Sequence, residues 1–557
     1  MKKGLETTLK NELVIALTAP LGVDLEEIKA IFDKKRPSGY KLERIKLSDV
    51  FKKPSISKEE KSELEKALAE YKEKHQESCT GSEGDKESYA DKYLCDIIEL
   101  KKALKKYIKE NDEQSKKITQ GNLIVAIDNY FKEFKCKKEE ERESLPLNNK
   151  MAQIAINKIS EKQEEISKQK GNKDNNNIIY LIQSLKRPEE IKLLKQAYGR
   201  AFYVLGVFSG ENERREKIKE KLKKDNFRGD IKSRVEELME KDQNEEYKFG
   251  QKIEKTFSKA DYFIHADHSC PSKLEEDIER FLNLILNDQF ITPTREEVGM
   301  CYAYVASMRS ADLSRQVGAS IIDDDCAVLS VGTNDVPKAG GDLYWPEDGN
   351  THRDMEKGKD FNSEEKIEIA KSLIEKAAKK FEFSAPSDNE EYIELLKGSQ
   401  LDNLIEFGRA VHAETDAIIS AARRGVKIRD AILYTTTFPC HLCIKHIIDA
   451  GIKEVIYIHP YPKSKAIQFH SDELDTTPRK KKDKDKVQLR PFEGVSPLRY
   501  FDLFSMTQRK SDSTGMKLSR SSNLPKPRLE RDVRGEKERE KELGKTRSTR
   551  KKKNKPQ

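Results

Sequence analysis

The sequence predicts an α/β protein with at least two folded units. Three observations carry this. Short β-branched runs alternate with helical patterns in both halves of the chain, a Lys/Glu-rich stretch interrupts the first half, and a basic, nearly non-aromatic segment closes the chain. At 557 residues the length allows about three or four domains. Charged residues make up 37% of the chain and mean hydropathy is −0.83, so much of it must be solvated helix or disorder.

The elements follow in order. The opening reads strand (13–17), tight turn (Pro20-Leu21-Gly22), helix (25–33), strand (40–47). Residues 55–175 are charged and helical in pattern, with low-complexity runs and no fixed-period repeat. Over 178–290 the α/β pattern returns, with strands at 178–182, 201–208 and 260–264 and helices at 188–197, 211–224 and 273–286. Such alternation implies a parallel, doubly wound sheet. The expected domains are therefore 1–290, with the charged insert at about 55–175, then 291–506, then a disordered basic tail at 507–557.

The formal charge of +8 hides an asymmetry. Residues 507–557 hold 18 Lys+Arg and 7 Asp+Glu, a balance of +11, which leaves −3 on everything before them. The tail is a solvated appendage or an attractor of nucleic acid, since such runs bind phosphate without reading sequence. The eight cysteines follow no framework spacing, as expected of a reduced, cytoplasmic protein. A signal peptide and a membrane-spanning run are both absent from this reading.

Chemistry concentrates in one place. His412-Ala413-Glu414 is followed by Pro439-Cys440-His441-Leu442-Cys443. The local patterns are a helix over 413–424 stopped by Gly425, a β-rich run over 428–438, and a second helix over 440–450 stopped by Gly451. Pro439 suits a helix start, where its missing N–H costs nothing. Both cysteines are then expected in that helix's first turn, where the dipole favours thiolates. His412, Cys440 and Cys443 give three metal donors, the number that leaves one position for water in a catalytic zinc site. Glu414 stands beside them as a proton carrier. A lone C-x-x-C would read as a structural zinc knuckle or a redox pair. The whole arrangement resembles the H-x-E … P-C-x-x-C signature of zinc-dependent nucleobase and nucleoside deaminases.

Upstream, Ser314-Arg315-Gln316-Val317-Gly318-Ala319 reads as a helix end entering a strand, and Gly332-Thr333-Asn334-Asp335-Val336-Pro337 follows a second strand. These pieces resemble the R-x-x-V-G-A-x-I and G-x-N-x-x-P segments of deoxycytidylate deaminases. The resemblance implies that Asn334 contacts sugar and base. Arg315 is a phosphate contact or a salt-bridged helix end. After the next strand comes Ile458-His459-Pro460-Tyr461-Pro462-Lys463-Ser464. Strand ends of this kind gather ligands, so Tyr461 is a candidate for stacking on a base, and Lys463 and Ser464 for holding phosphate. Cys301, Cys326 and His352 are spaced too irregularly for a second metal site and read as unrelated residues. His265, Asp267, His268 and Cys270 read as a polar turn.

The first half resembles P-loop nucleotide kinases. Ala16 to Glu26 stands where that family has its phosphate loop, and Ser184-Leu185-Lys186-Arg187-Pro188-Glu189-Glu190 resembles its Arg-x-x-Glu segment. A working loop reads G-x-x-x-x-G-K-[ST]. Here the Lys and hydroxyl positions are Leu25 and Glu26, and only Gly22 survives, so no phosphoryl transfer is expected. Taken together the chain resembles bacterial anti-phage deoxycytidylate deaminases. That resemblance implies a P-loop kinase-like domain followed by a cytidine-deaminase-like αβα sandwich with a mixed sheet, Zn2+ as cofactor, and dCMP or dCTP as free-nucleotide substrate. It also implies a regulatory N-terminal half, depletion of the nucleotide pool during phage infection, a silencing RNA partner and a homo-oligomer. Two competing functions remain open at this stage. One is a nucleic-acid deaminase steered by the basic tail, against which no basic-aromatic interleaving surrounds the motif. The other is an RNA-binding regulatory module with a structural zinc, against which Glu414 argues, since a structural site needs no carboxylate beside the metal.

Overall fold

The computed structural model describes residues 12–47, 150–169, 177–224, 229–243, 253–266, 270–381, 388–396, 399–461, 464–476, 485–506 and 509–517, with a few single positions besides. Most of the charged insert and most of the basic tail lie outside the described residues, as do Lys463, Asp267 and His268. The described residues form two compact units, one within 1–259 and one within 260–521.

The first unit comprises β1 (Glu12–Thr18), α1 (Leu25–Lys35), β2 (Lys41–Ile45), α2 (Lys150–Gln169), β3 (Ile178–Ile182), α3 (Pro188–Tyr198), β4 (Phe202–Phe208), α4 (Glu211–Lys224), α5 (Ile231–Gln243) and α6 (Ile253–Phe257). Strands β4, β1, β3 and β2 lie side by side in that order, all parallel. β1 and β3 are buried along their whole length, as continuous apolar runs in a parallel sheet require. Helix α3 begins with Pro188, and the buried Glu190 carboxylate accepts the backbone N–H groups of Lys186 and Arg187. Helices α5 and α6 were not expected from the sequence.

The second unit comprises β5 (Tyr262–His265), α7 (Pro271–Ile285), α8 (Arg295–Ser307), β6 (Gly318–Ile322), β7 (Val328–Thr333), α9 (Asp354–Lys357), α10 (Phe361–Phe381), α11 (Asn389–Leu396), α12 (Ala413–Arg423), β8 (Ile432–Thr437), α13 (His441–Asp449), β9 (Glu454–His459), α14 (Ala466–Phe469), β10 (Leu474–Asp475), β11 (Val487–Pro491), β12 (Gly494–Val495) and α15 (Pro497–Phe504). Its main sheet runs β10-β11-β9-β8-β6-β7. β8, β9, β11 and β10 are mutually parallel, while β6 is antiparallel to both β8 and β7. The sheet is therefore mixed.

Alternation along β6 assigns the faces. Ser320 Oγ donates to the Gly299 carbonyl of α8 at 2.8 Å. Ala319 and Ile321 instead join Ala413, Ala417, Ile444 and Ile447 in one core beneath α12 and α13. Helices thus cover both faces, and α12 and α13 share one of them.

The second unit starts earlier than the pattern at 291 suggested. Glu297, wholly buried at the start of α8, takes the Thr294 and Val495 backbone N–H groups and pairs with Arg280 of α7 at 2.6 Å. Arg499 donates to Asp261 at 3.0 Å, both side chains nearly fully buried. These contacts fasten β5, α7, β12 and α15 to α8. The tail also departs from expected disorder over 509–517. Arg509 donates to the Gln289 carbonyl, and the Lys517 ammonium sits 4.2 Å from the centre of the Phe290 ring.

Candidate metal centre and active site

Two helix starts and one strand end build the site. His412 is the N-cap of α12 and Cys440 the N-cap of α13. Cys440 therefore lies just before the first turn in which the sequence reading placed it. Its sulfur accepts the Cys443 backbone N–H at 3.4 Å, so the thiolate itself caps the helix. His412 Nδ1 lies 3.1 Å from Cys440 Sγ and 3.3 Å from Cys443 Sγ. Among the described residues these three form the cluster able to hold a metal, with their donor atoms within 4.8 Å of one another. Cys301, Cys326 and His352 do not assemble into such a group.

The donor set fits zinc. Zinc bonds of about 2.0–2.3 Å at tetrahedral angles separate nitrogen and sulfur ligands by about 3.5 Å, close to the spacing found here. The charges agree with the geometry. Hydrogen bonds from Cys443 and His412 drive the Cys440 thiol down to about 4, while its proximity to Cys440 holds Cys443 well above the ordinary thiol range. The hydrogen bond with Cys440 lifts His412 to about 9. Three donors crowded together in this way compete for protons. A divalent cation ends the competition, because it takes a lone pair from each.

Glu414 stands beside the set. Its carboxylate is 4% exposed, and burial pushes it up to about 6. One oxygen accepts from Thr435 Oγ1 at 3.4 Å, and the other lies 3.6 Å from Cys443 Sγ. Thr435 is wholly buried in β8, and its single hydroxyl hydrogen is shared between that carboxylate and the Thr437 carbonyl at 3.0 Å. Thr415 Oγ1 donates to Cys443 Sγ at 3.5 Å. The sequence reading named neither threonine. A signal existed, since Thr435 occupies a buried strand position where an apolar residue is the default.

Of the remaining candidates, Arg315 and Tyr461 face each other and Asn334 braces the loop that carries Arg315. Arg315 lies in a loop, because α8 ends at Ser307; the expected helix end is corrected by an Asp312 turn whose carboxylate accepts the Ser314 and Arg315 N–H groups. The Arg315 guanidinium faces the Tyr461 ring with 5.9 Å to its centroid. Asn334, expected at sugar and base, spans the backbone on its own side of the loop. Its carbonyl accepts Val317 N–H at 2.7 Å and its amide donates to the Arg315 carbonyl at 2.8 Å. Ser464 Oγ donates to the Pro439 carbonyl at 2.8 Å, tying its loop to the entrance of α13. His441, between the two cysteines, pairs with Glu406 at 3.1 Å. Gly22 belongs to the first unit, in the turn after β1.

One glycine sets the position of α12. A Cβ on Gly332 of β7 would lie 2.2 Å from the Ala413 carbonyl oxygen and 2.4 Å from the Ala417 nitrogen. The helix carrying Glu414 thus rests directly on strand backbone. Gly332→Ala should push α12 outward, costing at least about 1–3 kcal/mol and lowering metal content. Thermal denaturation with metal analysis checks this; an unchanged Tm and full metal content would show that the contact does not position the helix.

Comparison with known proteins agrees with the donor set. Residues 293–459 match the family described as the cytidine and deoxycytidylate deaminase zinc-binding region. The chain is 46% identical over 55 residues to the deoxycytidylate deaminase of Enterobacteria phage T2, which covers 10% of this chain and 29% of that protein. It is 27% identical over 159 residues to a probable deoxycytidylate deaminase of Drosophila melanogaster, covering 28% of this chain and 56% of the relative. With the deoxycytidylate deaminase of Pongo abelii the figures are 24% over 215 residues, 39% and 89%. The first two matches thus span well under two thirds of their relatives. Among solved structures, the dCMP deaminase of cyanophage S-TIM5 in complex with dCMP and dUMP aligns at 19% identity with a TM-score of 0.21, over 36% of this chain and 100% of that one.

Proposed function

We propose that the chain hydrolytically deaminates free deoxycytidine nucleotides, dCMP and/or dCTP, to the corresponding uracil nucleotides. One observation carries the proposal: a buried carboxylate, Glu414, stands beside a His/Cys/Cys donor set without belonging to it. A purely structural metal site has no use for that carboxylate. His412, Cys440 and Cys443 would hold a zinc ion, which would supply the Lewis acidity that makes water a nucleophile near neutral pH. Glu414 takes a proton from the attacking water and delivers protons to the ring nitrogen and the departing amine, so cytosine and water become uracil and ammonia. Thr435 holds the Glu414 carboxylate for this work, and Thr415 steadies the Cys443 sulfur.

Substrate recognition is assigned to Tyr461, Arg315 and their loops. Tyr461 presents a ring for the base, and Arg315 beside it offers positive charge for phosphate; the sequence suggests the same role for Lys463. Asn334 and Ser464 shape the two loops that carry Arg315 and Tyr461. The names of the relatives support a nucleotide substrate. We further read the first unit as a regulatory, P-loop kinase-like domain without phosphoryl transfer. On this reading the protein is a cytoplasmic homo-oligomer, answers to a partner RNA, and depletes the deoxycytidine nucleotide pool during phage infection.

The test is a substrate panel. Purified protein is given CMP, dCMP, dCTP and cytosine-containing single strands, and uracil product is followed for each. Turnover of dCMP or dCTP is expected, with no labelled diphosphate formed when ATP and nucleoside monophosphates are added. Product only from single strands would replace the proposal with the nucleic-acid reading. Cells expressing the protein should lose dCTP on phage infection; unchanged pools would remove the defence role.

A further inference from the structure

The loop between β1 and α1 is closed by a carboxylate from far along the chain. Asp242, in the last turn of α5, accepts the Leu21 backbone N–H at 2.5 Å and the Lys186 ammonium at 2.7 Å. Lys186 also donates to the Ala19 carbonyl at 2.8 Å. Both side chains are withdrawn from solvent, Asp242 to 3% exposure and Lys186 to 14%. The loop is tightly bound from the other side as well. Gly22 has φ +95°, and a Cβ there would lie 2.7 Å from the Arg214 carbonyl oxygen of α4. Leu21 packs against the cluster of Ile218, Leu222, Val235, Leu238 and Met239 that joins α4 to α5.

The place and the chemistry point the same way. The loop leaves the carboxyl end of β1, and Lys186 follows the carboxyl end of β3. β1 lies between β3 and β4, so the chain changes sides of the sheet here, the position at which open α/β sheets collect ligands. A backbone N–H and an ammonium converging on one shielded acceptor are a recognition set for an oxyanion. The N–H groups at the start of α1 take no part, because the Asp24 carboxylate already accepts those of Glu26 and Glu27.

We propose that the Leu21 amide and the Lys186 ammonium form a phosphate-class oxyanion site that Asp242 fills from within, so that the loop takes a phosphate only when that carboxylate is removed. Asp242 is thus an internal stand-in for the phosphate, and α5 is the strap that delivers it. This inference stands apart from the reaction assigned to the second unit.

The probe is inorganic phosphate, added to the full-length zinc-loaded protein. Asp242→Ala should lose thermal stability and regain part of it as phosphate rises. It should bind phosphate at least about tenfold more tightly than wild type by calorimetry, or about 1.4 kcal/mol. Adding Lys186→Met to Asp242→Ala should abolish the gain. Equal effects of phosphate on wild type, single and double variants would reveal only general salt stabilisation and overturn the proposal. Should Asp242→Ala not fold, Asp242→Asn keeps the volume and the acceptor for Leu21 while removing the charge. An Asn variant with no phosphate-dependent gain would count equally against it.

Discussion

Glu414→Gln should abolish turnover while leaving the metal in place. Gln keeps the volume and an acceptor for Thr435, so β8 and α12 have no reason to move. The metal donors are His412, Cys440 and Cys443, and none is altered. What disappears is the ability to accept a proton. General acid–base catalysis by one positioned group is worth about 10²–10⁴-fold, and here one carboxylate handles every proton transfer, so the loss should reach or exceed the top of that range. Thr435→Val should act more mildly, lowering turnover with a smaller change in apparent Michaelis constant, because it frees the carboxylate without removing it. Metal analysis beside a uracil-release assay decides the matter. Wild-type turnover in Glu414→Gln would end the assignment of this residue.

How much of this was readable in advance depended on the range of the interactions. The donor set was legible because each half is short: one residue separates His412 from Glu414, and a C-x-x-C follows a proline that opens a helix. The strand–helix order was legible from period, and β6 and β7 fall where alternation placed them. Helix α5 was missed although Ile231, Val235 and Leu238 are spaced as a helical face; the charged residues around them masked the pattern. The helical reading fails at Arg315 because the Asp312 carboxylate turns the chain there, accepting the Ser314 and Arg315 N–H groups. Asn334 carried a role borrowed from a resemblance, and its two backbone bonds show that the same side chain also holds the loop. Thr435 and Asp242 act through partners remote in sequence, and nothing local announces such contacts. Leu25 and Glu26 argue from the sequence alone against phosphoryl transfer at the degenerate loop, yet the group that closes it, Asp242, lies two helices beyond β4.

Cys440 offers the sharper separation of metal binding from folding. As the N-cap of α13 its sulfur serves two purposes: it accepts the Cys443 N–H, and it is one of three metal donors. Serine is itself a good N-cap, so Cys440→Ser should preserve the start of the helix while replacing a soft thiolate with a poor zinc ligand. The expected result is a folded protein with little bound zinc and no measurable deamination. Cys440→Ala removes the cap as well and should cost a further ~0.5–2 kcal/mol. His412→Ala should lose zinc and activity together, and because its N-cap position lacks a side-chain bond to α12, the helix start should suffer less than in Cys440→Ala. Zinc content, circular dichroism melts and uracil release, measured on the same preparations, separate the two effects. Stoichiometric zinc with full turnover in Cys440→Ser or His412→Ala would place the metal elsewhere. Lost activity with zinc retained would assign the residue to substrate instead.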